Sequence, residues 1–95
     1  MDVKINELRM LTNMLLDNLE KSGHSTIALP HDYYWSVPKQ LEYDPYKEPT
    51  SLTLGQLSDD LIELESVARG EKEPVAYALV WLASILRAIG QDLVT

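Results

Sequence analysis

Cysteine and phenylalanine are absent from the 95 residues, glycine occurs only four times, and 8 basic residues stand against 15 acidic ones. Without cysteine there is no disulfide and no thiolate chemistry, which suits a reducing compartment. The four glycines are isolated, so no glycine-rich loop can cradle a phosphate. The shortage of lysine and arginine leaves a net charge of −7. Such a chain repels phosphate backbones, which argues against nucleic-acid binding. It favours basic partners instead, chiefly through the rate of association. The opening residues MDVKINELRM lack a basic start followed by an apolar stretch, so no secretory leader is expected. Long hydrophobic runs are also missing. The longest, Val75 to Ile89, is interrupted by Ser84 and Arg87, and as a helix it would rise only about 22 Å against a hydrocarbon core of about 30 Å. These absences predict a cytoplasmic protein with no membrane partner.

What is present is enough apolar material for one small domain over residues 1–95, since 45% of the chain is hydrophobic. The charge is unevenly placed: residues 54–73 sum to −4 and residues 74–95 to zero. Residues 3–21 read as a first helix, with Ile5, Leu8, Leu15 and Leu19 at three-and-four spacing and Thr12 in the remaining seam position. Gly23 supplies its stop. Val3, Met10 and Met14 fall on the opposite side and offer a second contact face, which suits methionine's adaptability.

Residues 24–52 form a long loop, because Pro30, Pro38, Pro45 and Pro49 forbid a long helix. Thr26–Leu29 and Tyr33–Val37 have the composition of short strands around Pro30-His31-Asp32, and 38–43 has room for one helical turn. Five of the seven aromatic residues lie here: Tyr33, Tyr34, Trp35, Tyr43 and Tyr46.

Residues 54–69 read as the second helix, closed by Gly70. Thr53 and Gln56 have the spacing of a capping box, with Leu52 and Leu57 as a hydrophobic staple. Leu57, Leu61, Leu64 and Ala68 form the expected buried stripe, while Asp59 and Glu63 face solvent. Residues 74–94 read as the third helix, with Pro74 at its first position. Its seam is Val75, Leu79, Leu82, Leu86, Ile89 and Leu93, and Tyr77 and Trp81 lie on the far side. A helix apolar nearly all round is central. The short link to the second helix makes the two an antiparallel hairpin. Two helices leave the Tyr77/Trp81 face of the third uncovered. The aromatic loop, with Trp35 buried, or a second subunit is expected to cover it.

Candidate chemistry is sparse. Asp17 with Glu20 and Asp60 with Glu63 have helical i,i+3 spacing, the kind of carboxylate pair that holds Mg²⁺ for phosphate chemistry. In this they resemble all-helical nucleotide pyrophosphohydrolases, but the chain contains no Glu-x-x-Glu and no basic cluster for a triphosphate. His24 and His31 lack the spacing of a zinc motif, and His31, Asp32 and Ser36 lack the context of a nucleophilic triad. Arg87, inside an apolar helix, calls for a carboxylate partner or a route to solvent.

The stretches His31-Asp32-Tyr33-Tyr34-Trp35, Tyr43-Asp44-Pro45-Tyr46 and Leu52-Thr53-Leu54-Gly55-Gln56-Leu57-Ser58-Asp59-Asp60 together resemble a family of small acidic bacterial, including cyanobacterial, proteins of uncharacterised function. The resemblance covers most of the chain from residue 27 onward. It implies a cytoplasmic bacterial protein and carries no activity with it.

The fold expected is therefore all-α: a three-helix bundle built on an antiparallel helical hairpin, with a long aromatic- and proline-rich loop. The alternative is α+β, with a short hairpin within 26–37. The function expected is a non-enzymatic protein–protein interaction module, a small acidic regulator or inhibitor of a basic partner. Asp59, Asp60, Glu63 and Glu65 would steer that partner, and Tyr33, Tyr34, Trp35, Tyr43 and Tyr46 would anchor it. Tyr77, Trp81, Val3, Met10 and Met14 would serve self-association as a homodimer. The alternatives are a purely structural homodimer and a Mg²⁺-dependent phosphohydrolase with Asp17, Glu20, Asp60 and Glu63 as ligands. No cofactor and no catalytic residue are expected in the leading reading.

Overall fold

The computed structural model describes residues 1–36 and 53–93. Expectations that fall on 37–52, among them Tyr43, Tyr46, the helical turn after Pro38 and the Leu52 staple, lie outside the described residues. In chain order the elements are helix α1 (Ile5–Lys21), strand β1 (Tyr33–Ser36), strand β2 (Thr53–Gln56), helix α2 (Leu57–Ala68) and helix α3 (Ala78–Asp92). The protein is mainly helical, with one small antiparallel ribbon. The three helices are present as expected, and the ribbon agrees with the α+β alternative rather than with a purely all-α chain, but its pairing is not the one proposed within 26–37. Thr26–Leu29 is not a strand. β1 instead pairs with β2 in the register Tyr33↔Gln56, Tyr34↔Gly55, Trp35↔Leu54 and Ser36↔Thr53.

That pairing moves the start of α2. Residues 53–56 are extended and engage the β1 ladder, so they cannot form a capping box, and α2 begins at Leu57 rather than at residue 54. Gln56 occupies the N-cap position with no side-chain cap bond of its own. The first amides of a helix have no partner within it, and here Asp32 accepts them from outside. The Asp32 carbonyl accepts the Leu57 N–H at 2.6 Å. Its carboxylate accepts the Ser58 N–H at 2.7 Å, the Ser58 hydroxyl at 2.7 Å and the Gln56 side-chain amide at 2.8 Å. Asp59 and Asp60 in the first turn add negative charge at the positive end of the helix dipole.

Both helix stops expected at glycine are present. Gly23 and Gly70 have φ of 91° and 76°. At α1 the His24 N–H reaches Leu19 O and the Gly23 N–H reaches Glu20 O; at α2 the Glu71 N–H reaches Ser66 O and the Gly70 N–H reaches Val67 O. These are paired 6→1 and 5→2 closures, which need a left-handed residue just past the helix. α3 starts later than Pro74. Ala78, Leu79 and Val80 donate to Val75, Ala76 and Tyr77, three residues back, so a tight turn precedes the α-helix.

α2 and α3 pack as a helical hairpin, and the link between them is tied down by ion pairs from Lys72 to Glu63 and from Arg69 to Glu71. The core is small. Leu57 is the one buried hydrophobic among the described residues, at 6% exposure. The packed stripe of α2 is also rotated from the one expected. Leu57, Asp60, Leu64 and Val67 are buried or half-buried, whereas Leu61 and Ala68 are exposed. Seam leucines of α1 and α3 that a closed three-helix bundle would bury are exposed as well. Among the described residues no helix is long and apolar enough to cross a membrane.

Three hydrogen bonds hold the Asp32 carboxyl below the ordinary aspartate range, led by that from the Ser58 hydroxyl and then that from Gln56. A lowered pKa contributes stability that is present at neutral pH and disappears as pH falls below about 4. Circular-dichroism melts should therefore show a lower Tm for Asp32→Ala at neutral pH. The wild type should also lose Tm more steeply than Asp32→Asn between about pH 4 and pH 2. Parallel acid limbs for the two proteins would show that the carboxylate does not hold the helix start.

Candidate functional site

β-strand residues alternate between faces, and β1 places Tyr34 on one side and Tyr33 and Trp35 on the other. The Tyr34 ring lies over Gly55, its direct cross-strand partner. A Cβ at Gly55 would fall inside the van der Waals envelope of Tyr34 Cζ. Glycine is therefore required there by close approach, since no positive φ is involved. From this position the Tyr34 hydroxyl donates to Asp60 Oδ2 at 2.6 Å, and the Ser84 hydroxyl donates to the same oxygen at 2.6 Å. Asp60 is only 8% exposed. A carboxylate removed from water needs donors of this kind, and these come from β1 and α3, which precede and follow α2 in the chain. Burial, and then the hydrogen bond to Asp60, push the Tyr34 phenol above its ordinary pKa.

Beside this junction is an open cleft of about 730 Å³, with Tyr33, Tyr34, Trp35, Tyr77, Ser84 and Arg87 in its walls. Trp81 meets Tyr77 edge-on, with ring centroids 5.8 Å apart. The expected association of the 33–35 aromatics with the Tyr77 side of α3 is thus present, but its detail is corrected. Tyr34 turns inward, while Trp35 is 66% exposed rather than buried. Arg87 is exposed in the cleft wall and makes no ion pair with a carboxylate among the described residues.

A second, smaller groove of about 330 Å³ lies where α1 meets α3. Thr12, Leu15, Leu16, Leu19, Leu86 and Ile89 contribute to its walls, and no charged residue does.

The residues singled out in the sequence are dispersed. Asp59 is exposed on α2. Asp60 faces inward, Glu63 is bonded to Lys72, and Glu65 lies 3.9 Å from Arg69. Val3, Met10, Met14 and Tyr77 are exposed, and Trp81 is half-buried. Asp17 and Glu20 are exposed on α1, and among the described residues no three acids or histidines gather closely enough to hold a metal ion. The structure therefore does not bring Asp17, Glu20, Asp60 and Glu63 into one set. Asp32 is engaged by Ser58 and Gln56 rather than by His31. The Tyr34–Asp60–Ser84 junction and the Asp32 cap were not identified from the sequence. For the first, the available signal was Gly55 directly after the alternating Leu52-Thr53-Leu54, a pattern read as a helix start. No family model, curated protein or solved structure matches this chain.

Removing the Tyr34 hydroxyl takes one donor from a buried carboxylate, so Tyr34→Phe should lower stability by about 1.5–3 kcal/mol in denaturant titration. Because the phenol is held neutral, the wild type should lose Tm as pH rises above about 10, more steeply than Tyr34→Phe. Gly55→Ala should destabilise by about 1–3 kcal/mol through overpacking. In a Tyr34→Ala background the same change should have a much smaller effect. Equal effects of Gly55→Ala in the two backgrounds would show that the ring does not impose the glycine.

Proposed function

We propose that this chain is a non-enzymatic protein–protein interaction module. The observation that carries the reading is apolar side chains left at the surface along α1 and at the start of α3. Ile5, Leu8, Leu11 and Leu15 on α1, with Leu79 and Val80 on α3, are at least half exposed. A row of exposed apolar side chains along one helix favours a contact surface. Trp35, Tyr33 and Tyr77 add aromatic side chains of the type that dominates binding energy in interfaces.

A basic surface on the partner is the form the net charge of −7 favours. Asp59 is the member of the acidic group with no internal bond or ion pair among the described residues, since Asp60, Glu63 and Glu65 have partners within the chain. A small acidic regulator of a basic protein would use this field to accelerate encounter and the aromatic patch to hold on. The acidic pairs offer less to a phosphohydrolase, because α1 and α2 hold them apart.

The test is a photo-crosslinking amino acid in place of Leu8 or of Trp35, irradiated in extract of the source cells. Covalent protein adducts are expected at one or both positions, and adducts at neither would overturn the reading. Adducts at Trp35 should diminish as salt is raised if the partner is basic. A yield independent of salt removes that form of the proposal.

A further inference from the structure

The cleft beside the Tyr34–Asp60–Ser84 junction is built from two kinds of side chain. Val80, Ser84, Arg87 and Gln91 follow intervals of four, three and four along α3, so they form one row on a single helix face. Ala83 and Ala88 line the cleft with them. Their methyl groups leave room for a flat group to approach α3 beside the Arg87 guanidinium. The remaining walls are aromatic: Tyr33, Tyr34 and Trp35 come from β1, and Tyr77 from the turn before α3. Tyr33, Trp35 and Tyr77 are each more than half exposed, so much of their ring surface is left for contact with another molecule.

Charge gives the cleft its direction. Arg87 is the one charged residue in its walls, in a chain whose net charge is −7. It makes no ion pair among the described residues. Asp60 joins the cleft only through the hydroxyls of Tyr34 and Ser84; it is 8% exposed and does not line the walls. Gln91, one turn beyond Arg87, adds an amide to the same row.

We infer that this cleft binds a small planar aromatic acid, with its carboxylate on Arg87 and its ring against the aromatic walls. The inference goes beyond the interaction-module reading and does not depend on it. A guanidinium presents a fork of donors that takes a carboxylate through two parallel bonds. One guanidinium matches one negative charge, which favours a carboxylate over a phosphate monoester carrying nearly two. Aromatic walls contribute most to a ligand that offers a ring in return, so an aliphatic acid leaves them unused. An organic cation would meet Arg87 as a like charge. The cleft volume of about 730 Å³ lies within the range of about 300–1,000 Å³ typical of small-molecule sites.

The experiment is an amide NMR titration of the full chain with benzoate, benzamide, benzylammonium and acetate. Benzoate should shift the amides of residues 33–35 and 80–91 in a saturable way, with a Kd of about a millimolar for so small a probe. Benzamide and acetate should each bind about tenfold more weakly, since one lacks the charge and the other the ring. Benzylammonium should not bind. Arg87→Gln should weaken benzoate about tenfold and leave benzamide unchanged. Trp35→Ala should weaken benzoate and benzamide together. Both side chains are exposed, so the spectra of the two variants should match the wild type away from the cleft. The comparison of the four probes on the wild type needs no variant at all. Absence of saturable shifts at the cleft overturns the inference. So does benzamide, benzylammonium or acetate binding as tightly as benzoate, or an unchanged benzoate affinity in Arg87→Gln. Shifts confined to the groove between α1 and α3 overturn it as well. Crosslinks to another protein without benzoate binding would leave the interaction-module reading standing and remove this one. Benzoate binding without crosslinks would do the reverse.

Discussion

Asp60 is only 8% exposed, and β1, α2 and α3 are joined by the donors it receives. One oxygen of its carboxylate takes the hydroxyls of Tyr34 and Ser84, so a strand, the helix that follows the ribbon and the last helix meet at a single atom. Hydrogen bonds to an ionised group are among the stronger ones, and their loss leaves a charge without solvation. In a chain whose only buried hydrophobic among the described residues is Leu57, such directional contacts do much of the work that a larger core would do by area. The ribbon register follows from the same constraint. Tyr34 reaches Asp60 only if it crosses its partner strand at a residue without a side chain, and Gly55 is that residue.

Asp32 performs the complementary task at the start of α2. Its carboxylate and carbonyl receive the free amides of a helix 25 residues further along the chain, so the beginning of α2 depends on where β1 begins. Ribbon and helix are therefore coupled through two aspartates, one half-exposed and one buried. α1 takes no part in either network. It stands against α3 over a small apolar groove and leaves apolar side chains exposed along its length.

Much of the helical content was legible in the sequence. The three-and-four spacing of Ile5 to Leu19 and of Leu79 to Leu93 gives two of the helices, and Gly23 and Gly70 mark two ends, because local periodicity and the left-handed preference of glycine are properties of short segments. The capping box at Thr53 and Gln56 was misleading for a definite reason. Those residues satisfy their backbone groups across a ribbon with residues 33–36, and no local pattern records that pairing. Trp35 and Tyr34 are adjacent and chemically alike, yet strand alternation turns one outward and the other into the junction. Which of them turns inward depends on the position of Gly55 in the opposite strand. The same holds for the acidic residues of α2. A count of charges treats Asp59 and Asp60 alike, whereas the position of Ser84 and Tyr34 separates them.

The amino-acid sequence by itself determined the helical character of the chain, two helix stops, the acidic balance and the apolar seams, since each depends on residues within a few turns of one another. Only the tertiary structure decided where α2 begins, which carboxylate is buried, which aromatic packs, and that the seams of α1 and α3 remain largely uncovered. Each of these depends on partners more than 20 positions apart in the chain, and the free energy of such pairings is a property of the assembled surfaces rather than of any segment.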